Sequence, residues 1–497
     1  MRAHALFLSL LPLVPFVTSR STASTSDILP ANFQPPQVWV NANQVRTINL
    51  EKSYPREAIN TVIENVSDDP QTEYYLPFAG DVIANVGGLQ VKDKKDPLKE
   101  GFSAELVELD SESSTQYYRL TLPPVAPKSS LTLSITYTLL STLSPLPAKI
   151  PQASPQHLTY SLSAYIPSAY PTTKQRTRLR FPSTRVPDFT TVPRPATADT
   201  PEALDPDRQG PTFTYGPYPP LPAGAAHPIT VRYEFTKPIP SVSLLERDLE
   251  VSHWGGNLAT EERYWLENHA AALREQFSRL EYQKEGYSTT AQSSALKEVR
   301  RPLAPGAGNP YFTDAIGNIS TSRFRPGDVV AKRDASWELK PRFPVYGGWK
   351  YAFKIGWDAD LSAYIRRIAS GSDHFVLKVP FLEGLKLDEG LQYKRAVVRV
   401  ILPEGARDIN FATAVPLAND EITIHKTFMD TLGRPTLQLT AVNIVDEWRD
   451  KDLIVTYTYP WTAGYRKPLT IAAAMISVFI TVWIVGSLDV SIGRKTK

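Results

Sequence analysis

The chain has 497 residues, of which 44 are proline, 25 glycine and none cysteine, and its formal charge is +3. That length allows about three domains, each with a sizeable core, and so much proline keeps long stretches of the chain from being helical. Without cysteine there is no disulfide framework, thiolate nucleophile or cysteine-based metal site, and a charge this small excludes the strong basic excess of a nucleic-acid binder.

In chain order, residues 1–23 follow the plan of a signal peptide. Arg2 and His4 open it, Ala5 to Val17 are apolar, and small residues follow at Thr18, Ser19, Ser21 and Ala23. Pro12 and Pro15 break the run, which is too short for a membrane span.

Period-two alternation then recurs. Leu131, Leu133, Ile135, Tyr137 and Leu139 fall on one face of a strand, and similar strands are expected at 45–50, 58–66, 229–235, 349–357, 395–401, 436–443 and 452–459. A short helix is expected over 290–300, ended by Pro302. The proline-dense segment 190–226 reads as an irregular excursion that packs in part through Phe213, Tyr215 and Tyr218, with a disordered linker as the rival reading. The fold class is therefore mainly β: two antiparallel β-sandwich-like domains, 24–238 and 239–464, with the boundary near 236–242. No short-period repeat is visible, and nothing in the residues proves that the halves are copies.

From Leu469 to Leu488 there are 20 residues without a charge, about 30 Å as a helix and enough to cross a bilayer core. Arg466 and Lys467 precede the run, Asp489, Arg494, Lys495 and Lys497 follow it, and Trp461 and Tyr465 stand where an interfacial aromatic belt would lie. With the signal peptide this predicts a single-pass type I protein whose tail, 489–497, is cytosolic. Ala473 and Ser477, four apart on one helix face, are candidates for close helix packing, or simple filler. Arg494-Lys495-Thr496-Lys497 resembles a dibasic retrieval signal, with ordinary flanking charge as the alternative.

Few residues carry readable chemistry. Asn65-Val66-Ser67 and Asn318-Ile319-Ser320 are N-glycosylation acceptors on a translocated chain, with an unmodified sequon buried in a strand as the alternative, above all at Asn65 in its apolar alternating stretch. Lys174, Arg176, Arg178 and Arg180 alternate with Gln175, Thr177 and Leu179, so a strand here would project four cations from one face. That face is read as a contact for an anionic partner or as a solvated sheet edge. Asp358-Ala359-Asp360 and Asp205-Pro206-Asp207 match the short Asp-x-Asp pattern without a nucleotide-binding context. With no HExxH, GxSxG or phosphate loop, no catalytic, cofactor-binding or metal residue is assigned.

The segments VSHWGGNLATEERYWLENHAAALREQFSRLEY (251–282), NPYFTDAIGNISTSRFR (309–325) and LKPRFPVYGGWKYAFKIGW (339–357) resemble the ribophorin I family, and YYLPF (74–78) does so more loosely. With the signal peptide and terminal helix, the resemblance covers most of the chain. It implies domains like the N-terminal β domain of zinc aminopeptidases, without the metal-binding part. It also implies a non-catalytic accessory subunit of the oligosaccharyltransferase, in the endoplasmic-reticulum membrane with its bulk in the lumen. The partners implied are the catalytic and other membrane subunits, nascent polypeptides and the lipid bilayer. No cofactor is implied for this chain, any divalent metal belonging to the catalytic subunit. Two departures stand out. HWGGN at 253–257 has one glycine more than the family's HWGN and is read as a bulge. Nine residues follow Leu488 where animal members carry a long cytosolic domain, which marks the short-tailed fungal type and argues against direct ribosome binding. The rival readings are a membrane-anchored hydrolase and a single-pass adhesion or receptor protein.

Overall fold

The computed structural model describes residues 28–30, 32–96, 101–109, 113–193, 203–204, 206–287, 293–369, 371–427, 430–449 and 451–488. The signal peptide, the tail and Asp205 lie outside the described residues.

Seven strands form the first large sheet: β1 (Trp39–Asn49), β2 (Arg56–Asn65), β3 (Val86–Asp93), β4 (Ser130–Leu139), β5 (Gln175–Arg180), β6 (Asp207–Gln209) and β7 (Thr212–Tyr218). Seven more form the second: β8 (Pro240–Ser252), β9 (Asn257–Asn268), β10 (Gly308–Asp314), β11 (Lys350–Asp360), β12 (Gln392–Ile401), β13 (Asn419–His425) and β14 (Arg434–Val445). Their spatial orders are β6-β7-β5-β1-β2-β4-β3 and β13-β14-β12-β8-β9-β11-β10. Adding seven to each label of the first gives the second. The strand directions agree too, because β1 is antiparallel to β2 and parallel to β5, as β8 is to β9 and β12.

The three-stranded and four-stranded sheets repeat as well. A three-stranded sheet of residues 71–79, 103–106 and 115–125 corresponds to one of 299–303, 323–325 and 335–339, each with its last strand in the middle. The four-stranded sheet of 144–145, 157–163, 188–189 and 228–234 corresponds to that of 365–367, 374–380, 407–413 and 452–458. The described chain is thus a tandem pair of one three-sheet unit, a kinship the sequence does not display.

Alternation explains why these strands form. In β4, Leu133, Ile135, Tyr137 and Leu139 are buried and pack with Leu158, Tyr160, Val231 and Tyr233 of the four-stranded sheet in one hydrophobic cluster. Ring contacts join the layers, with Phe78 5.2 Å from Tyr137 and Phe189 5.6 Å from Phe213. The second unit has its own larger cluster.

Each core also buries charge in a matching place. A bulge interrupts β1 at Ala42 and β8 at Ser243, and four residues beyond each bulge an arginine points inward. Arg46 grips Glu57 through Nε and Nη2 at 2.9 and 2.8 Å, and Glu57 also accepts from Tyr137 and Tyr160 at 2.6 and 2.9 Å. Arg247 bonds Glu262, which also meets Arg301 at 3.0 Å, while Glu383 closes the cluster 2.7 Å from Arg301. Burial alone would push Glu57 and Glu262 up, but the adjacent guanidiniums and hydrogen bonds outweigh it and hold both below the ordinary carboxylate range.

The units meet through buried polar contacts and close backbone approach. Tyr54 donates to Asp446 at 2.6 Å, Ser53 N–H to the Glu389 carbonyl at 2.7 Å, and Gln392 Nε2 to the Ser53 carbonyl at 2.9 Å. Gly87 lies against the Asn443 carbonyl so closely that no Cβ would fit between them, and a Cβ on Gly88 would lie 2.8 Å from the Trp448 indole nitrogen.

Three local expectations are corrected. Residues 293–298 are not helical, and Val299–Leu303 is an edge strand with Pro302 inside it. An edge tolerates proline, since no second neighbour needs its N–H. The described short helix of this region is α1, Arg279–Tyr287. The described part of 190–226 is no excursion, because β6 and β7 lie within it and complete the first large sheet. HWGGN is no bulge but the turn of the hairpin joining β8 and β9, with Gly256 at φ +61°.

Candidate functional site: the membrane junction, the sequons and a basic sheet face

The strand 452–458 runs through a short turn, Trp461–Tyr465, into α2 (Arg466–Ser487). This helix is long and apolar enough to cross a membrane, and none of its apolar window is buried by protein. Its hydroxyls serve themselves: Thr470, Ser477, Thr481 and Ser487 donate to carbonyls three or four residues back at 2.7–2.8 Å. Satisfied internally, they carry no desolvation penalty in lipid. Ala473 and Ser477 are both exposed on this helix.

The helix is tied to the second unit at its first turn. Lys467 Nζ lies 3.2 Å from Asp430, which Arg434 also approaches at 3.4 Å. Burial raises the Asp430 carboxyl, but Thr427, Lys467 and Arg434 outweigh it and bring it down to about 2. Between the helix, the β8–β9 hairpin and the 403–404 and 430–434 loops is a cavity of about 480 Å³. His253 lies on its wall, 2.7 Å from the Tyr457 hydroxyl and with ring centroids 4.6 and 4.7 Å from Tyr459 and Phe375.

Burial, reinforced by Arg367, lowers the His253 imidazole to about 4. A neutral form favoured by the fold means that the unfolded chain takes up its proton first as pH falls. The contribution of His253 is therefore whole above pH 6.5 and lost on the way down to about 4. His253→Gln should flatten the fall in melting temperature between pH 7 and 4.5. An unchanged slope would show that other groups carry it.

The two sequons differ in setting. Asn65, 1% exposed, ends β2. Its Nδ2 donates to the carbonyls of Asp69 and Val125 at 2.8 and 2.9 Å, and its Oδ1 accepts from Ser67 N–H and Oγ. Asn318 and Ser320 are exposed in the turn after β10, with Ile319 buried between them.

Lys174, Arg176, Arg178 and Arg180 do share the outward face, with Gln175, Thr177 and Leu179 inward. Their strand is not an edge, however, since β5 lies between β1 and β7, so guarding an edge is not what the charges do. Arg180 pairs with Glu51 at 2.8 Å. The Asp-x-Asp pair is structural: Asp358 accepts from Asn257 and Asn309, and Asp360 from Ser362 N–H.

Sequence reasoning missed the buried charge clusters. The signal was present, because Arg247 falls in phase with Leu245, Leu249 and Val251, the inward residues of β8.

Two matching β units and one membrane-length helix define a membrane-anchored tandem β protein. The family model for Ribophorin I matches residues 39–486. Subunit 1B of the dolichyl-diphosphooligosaccharide–protein glycosyltransferase of Arabidopsis thaliana is 30% identical over 462 residues, covering 91% of this chain and 94% of that one. Subunit 1 from Schizosaccharomyces pombe is 31% identical over 444 residues, covering 88% and 93%, and that of Caenorhabditis elegans is 29% identical, covering 91% and 73%. Among solved structures, leukotriene A4 hydrolase of Saccharomyces cerevisiae overlaps 43% of this chain and 32% of its own at a TM-score of 0.27 and 12% identity, a partial likeness that bears on no activity. The chain belongs to the ribophorin I family.

Proposed function

We propose that this chain is the first subunit of an oligosaccharyltransferase in the endoplasmic-reticulum membrane. Its two β units face the lumen, and it assists the transfer of a preassembled oligosaccharide from a dolichyl-diphosphate carrier to asparagine without supplying a catalytic group. The observation that carries this reading is the match to named subunits over about nine-tenths of the chain. The most deeply buried acids also favour an accessory role, because Glu57 and Glu262 spend their oxygens on partners within their own cores. Partners on this reading are the catalytic and other membrane subunits, nascent acceptor chains and the bilayer. The exposed cations of β5 and the small-residue face at Ala473 and Ser477 are the surfaces available for them. A complex purified without this chain should still glycosylate a short Asn-x-Thr peptide while losing efficiency on protein acceptors. Transfer by this chain alone would overturn the reading.

A lumenal position also sets the state of the two sequons. Asn318 is open to modification. At Asn65 a glycan would remove one of two Nδ2 hydrogen bonds and need room that a 1%-exposed residue lacks. Enzymatic glycan release in heavy-oxygen water, read by peptide mass spectrometry, should label Asn318 and leave Asn65 unlabelled. Label at Asn65 would mean that modification precedes folding and the local structure rearranges.

A further inference from the structure

The junction cavity has walls on both sides of the membrane boundary. Its upper wall is the β8–β9 hairpin with the 403–404 and 430–434 loops, and its lower wall is Thr470, Ile471 and Ala474 of α2. Ala474 lies eight residues beyond Arg466, so the lower wall reaches about 12 Å along the apolar helix. A cavity so placed opens at headgroup depth and continues beside the acyl chains.

Three cations and three acids stand around it, and one of the cations is left without an ion pair. Asp430 is met by Lys467 and Arg434, Arg434 also holds Glu250, and one oxygen of Glu404 accepts from Thr431 N–H and Oγ1 at 3.0 and 2.6 Å. Among the described residues no acid lies within ion-pair distance of Arg466, which stands half-buried on the wall beside Gly405. A lone guanidinium at headgroup depth is a good partner for a phosphodiester, which it can bind through two parallel N–H groups. Around the cavity Trp254 and Trp461 are 71% and 70% exposed, and Leu432 is 64% exposed. Aromatic side chains left bare at a membrane boundary are stabilised by the interface itself.

We propose that this cavity seats one anionic phospholipid, its phosphate on Arg466 and an acyl chain along Thr470 to Ala474. The inference goes beyond the subunit reading and requires only that α2 lie in a bilayer. The test uses the full chain in nonionic detergent, delipidated and titrated with dioleoylphosphatidylglycerol in mixed micelles, with retained lipid counted by native mass spectrometry. One lipid per chain is expected, with dioleoylphosphatidylcholine and inorganic phosphate failing to displace it at equal concentration. Arg466→Ala should weaken retention about tenfold, as expected for loss of a charge-assisted phosphate contact, and Arg466→Lys should restore part of it. Ala474→Trp fills the acyl wall without touching the charges or either core, and should lower retention while leaving the melting temperature unchanged. Equal retention by Arg466→Ala, equal binding of phosphatidylcholine, displacement by inorganic phosphate, or full retention by a folded Ala474→Trp chain would each overturn the proposal.

Discussion

Glu262→Gln is expected to destabilise the second unit by about 3–5 kcal/mol, the cost of breaking a buried ion cluster by removing one partner. Glu262 is fully buried, bonds Arg247 and lies 3.0 Å from Arg301. Without it, Glu383 alone faces two arginines, at 3.4 Å from Arg247 and 2.7 Å from Arg301. One buried guanidinium then lacks a counter-charge in a site where desolvation is costly. The cluster also ties the three sheets of the unit, because Arg247 and Glu262 come from the large sheet, Arg301 from the three-stranded one and Glu383 from the segment after 374–380. A melting temperature lower by about 10 °C should follow. Glu267→Gln on the same strand breaks the partly exposed pair with Lys350 and loosens a 3.9 Å contact with His269, and should cost about 1 kcal/mol or less. Equal effects from the two substitutions would refute the assignment of stability to the buried cluster.

The second large effect is expected where the units meet. Gly87 is buried against the Asn443 carbonyl, and Asn443 in turn donates to the Ala84 carbonyl at 2.7 Å. A valine at 87 meets backbone on the facing unit, not the movable end of a side chain, so relief requires the units to separate. Separation would strip partners from Tyr54, Ser53 and Gln392, each of which bonds across the junction. Leaving such buried groups unmet costs about 1–3 kcal/mol each. Gly87→Val should therefore turn a joint thermal transition into two and open the 84–85 turn and the start of β3 to protease. A single transition at the wild-type temperature would show that the junction is soft enough to absorb the side chain.

What the sequence made legible follows from the physics of each element. The strands 130–139 and 228–234 were readable because burial on one face imposes a period of two. The membrane helix was readable because hydrocarbon demands an uninterrupted apolar run. The helix expected at 290–300 failed because pairing of 299–303 with 335–339 overrides local preference and carries Arg301 into the core. β6 and β7 were hidden by proline, whose cost is small near the edge of a sheet. At β5 the alternation gave the right face, but its place between two neighbours depends on residues far away in the chain. The duplication was invisible for the same reason, since two sheets can share an order while sharing only a burial pattern. As for function, the three long segments pointed to a family, and the family match decides against the receptor reading.

The central claim is that this chain works inside a transferase complex. Its most direct test is purification of the tagged chain in mild detergent, assayed for transfer of lipid-linked oligosaccharide to an Asn-x-Thr peptide. Robust transfer by the purified material, with a large multi-spanning protein present, is the predicted result. A lone and inactive chain, from membranes whose transferase activity remains in the unbound fraction, would contradict it.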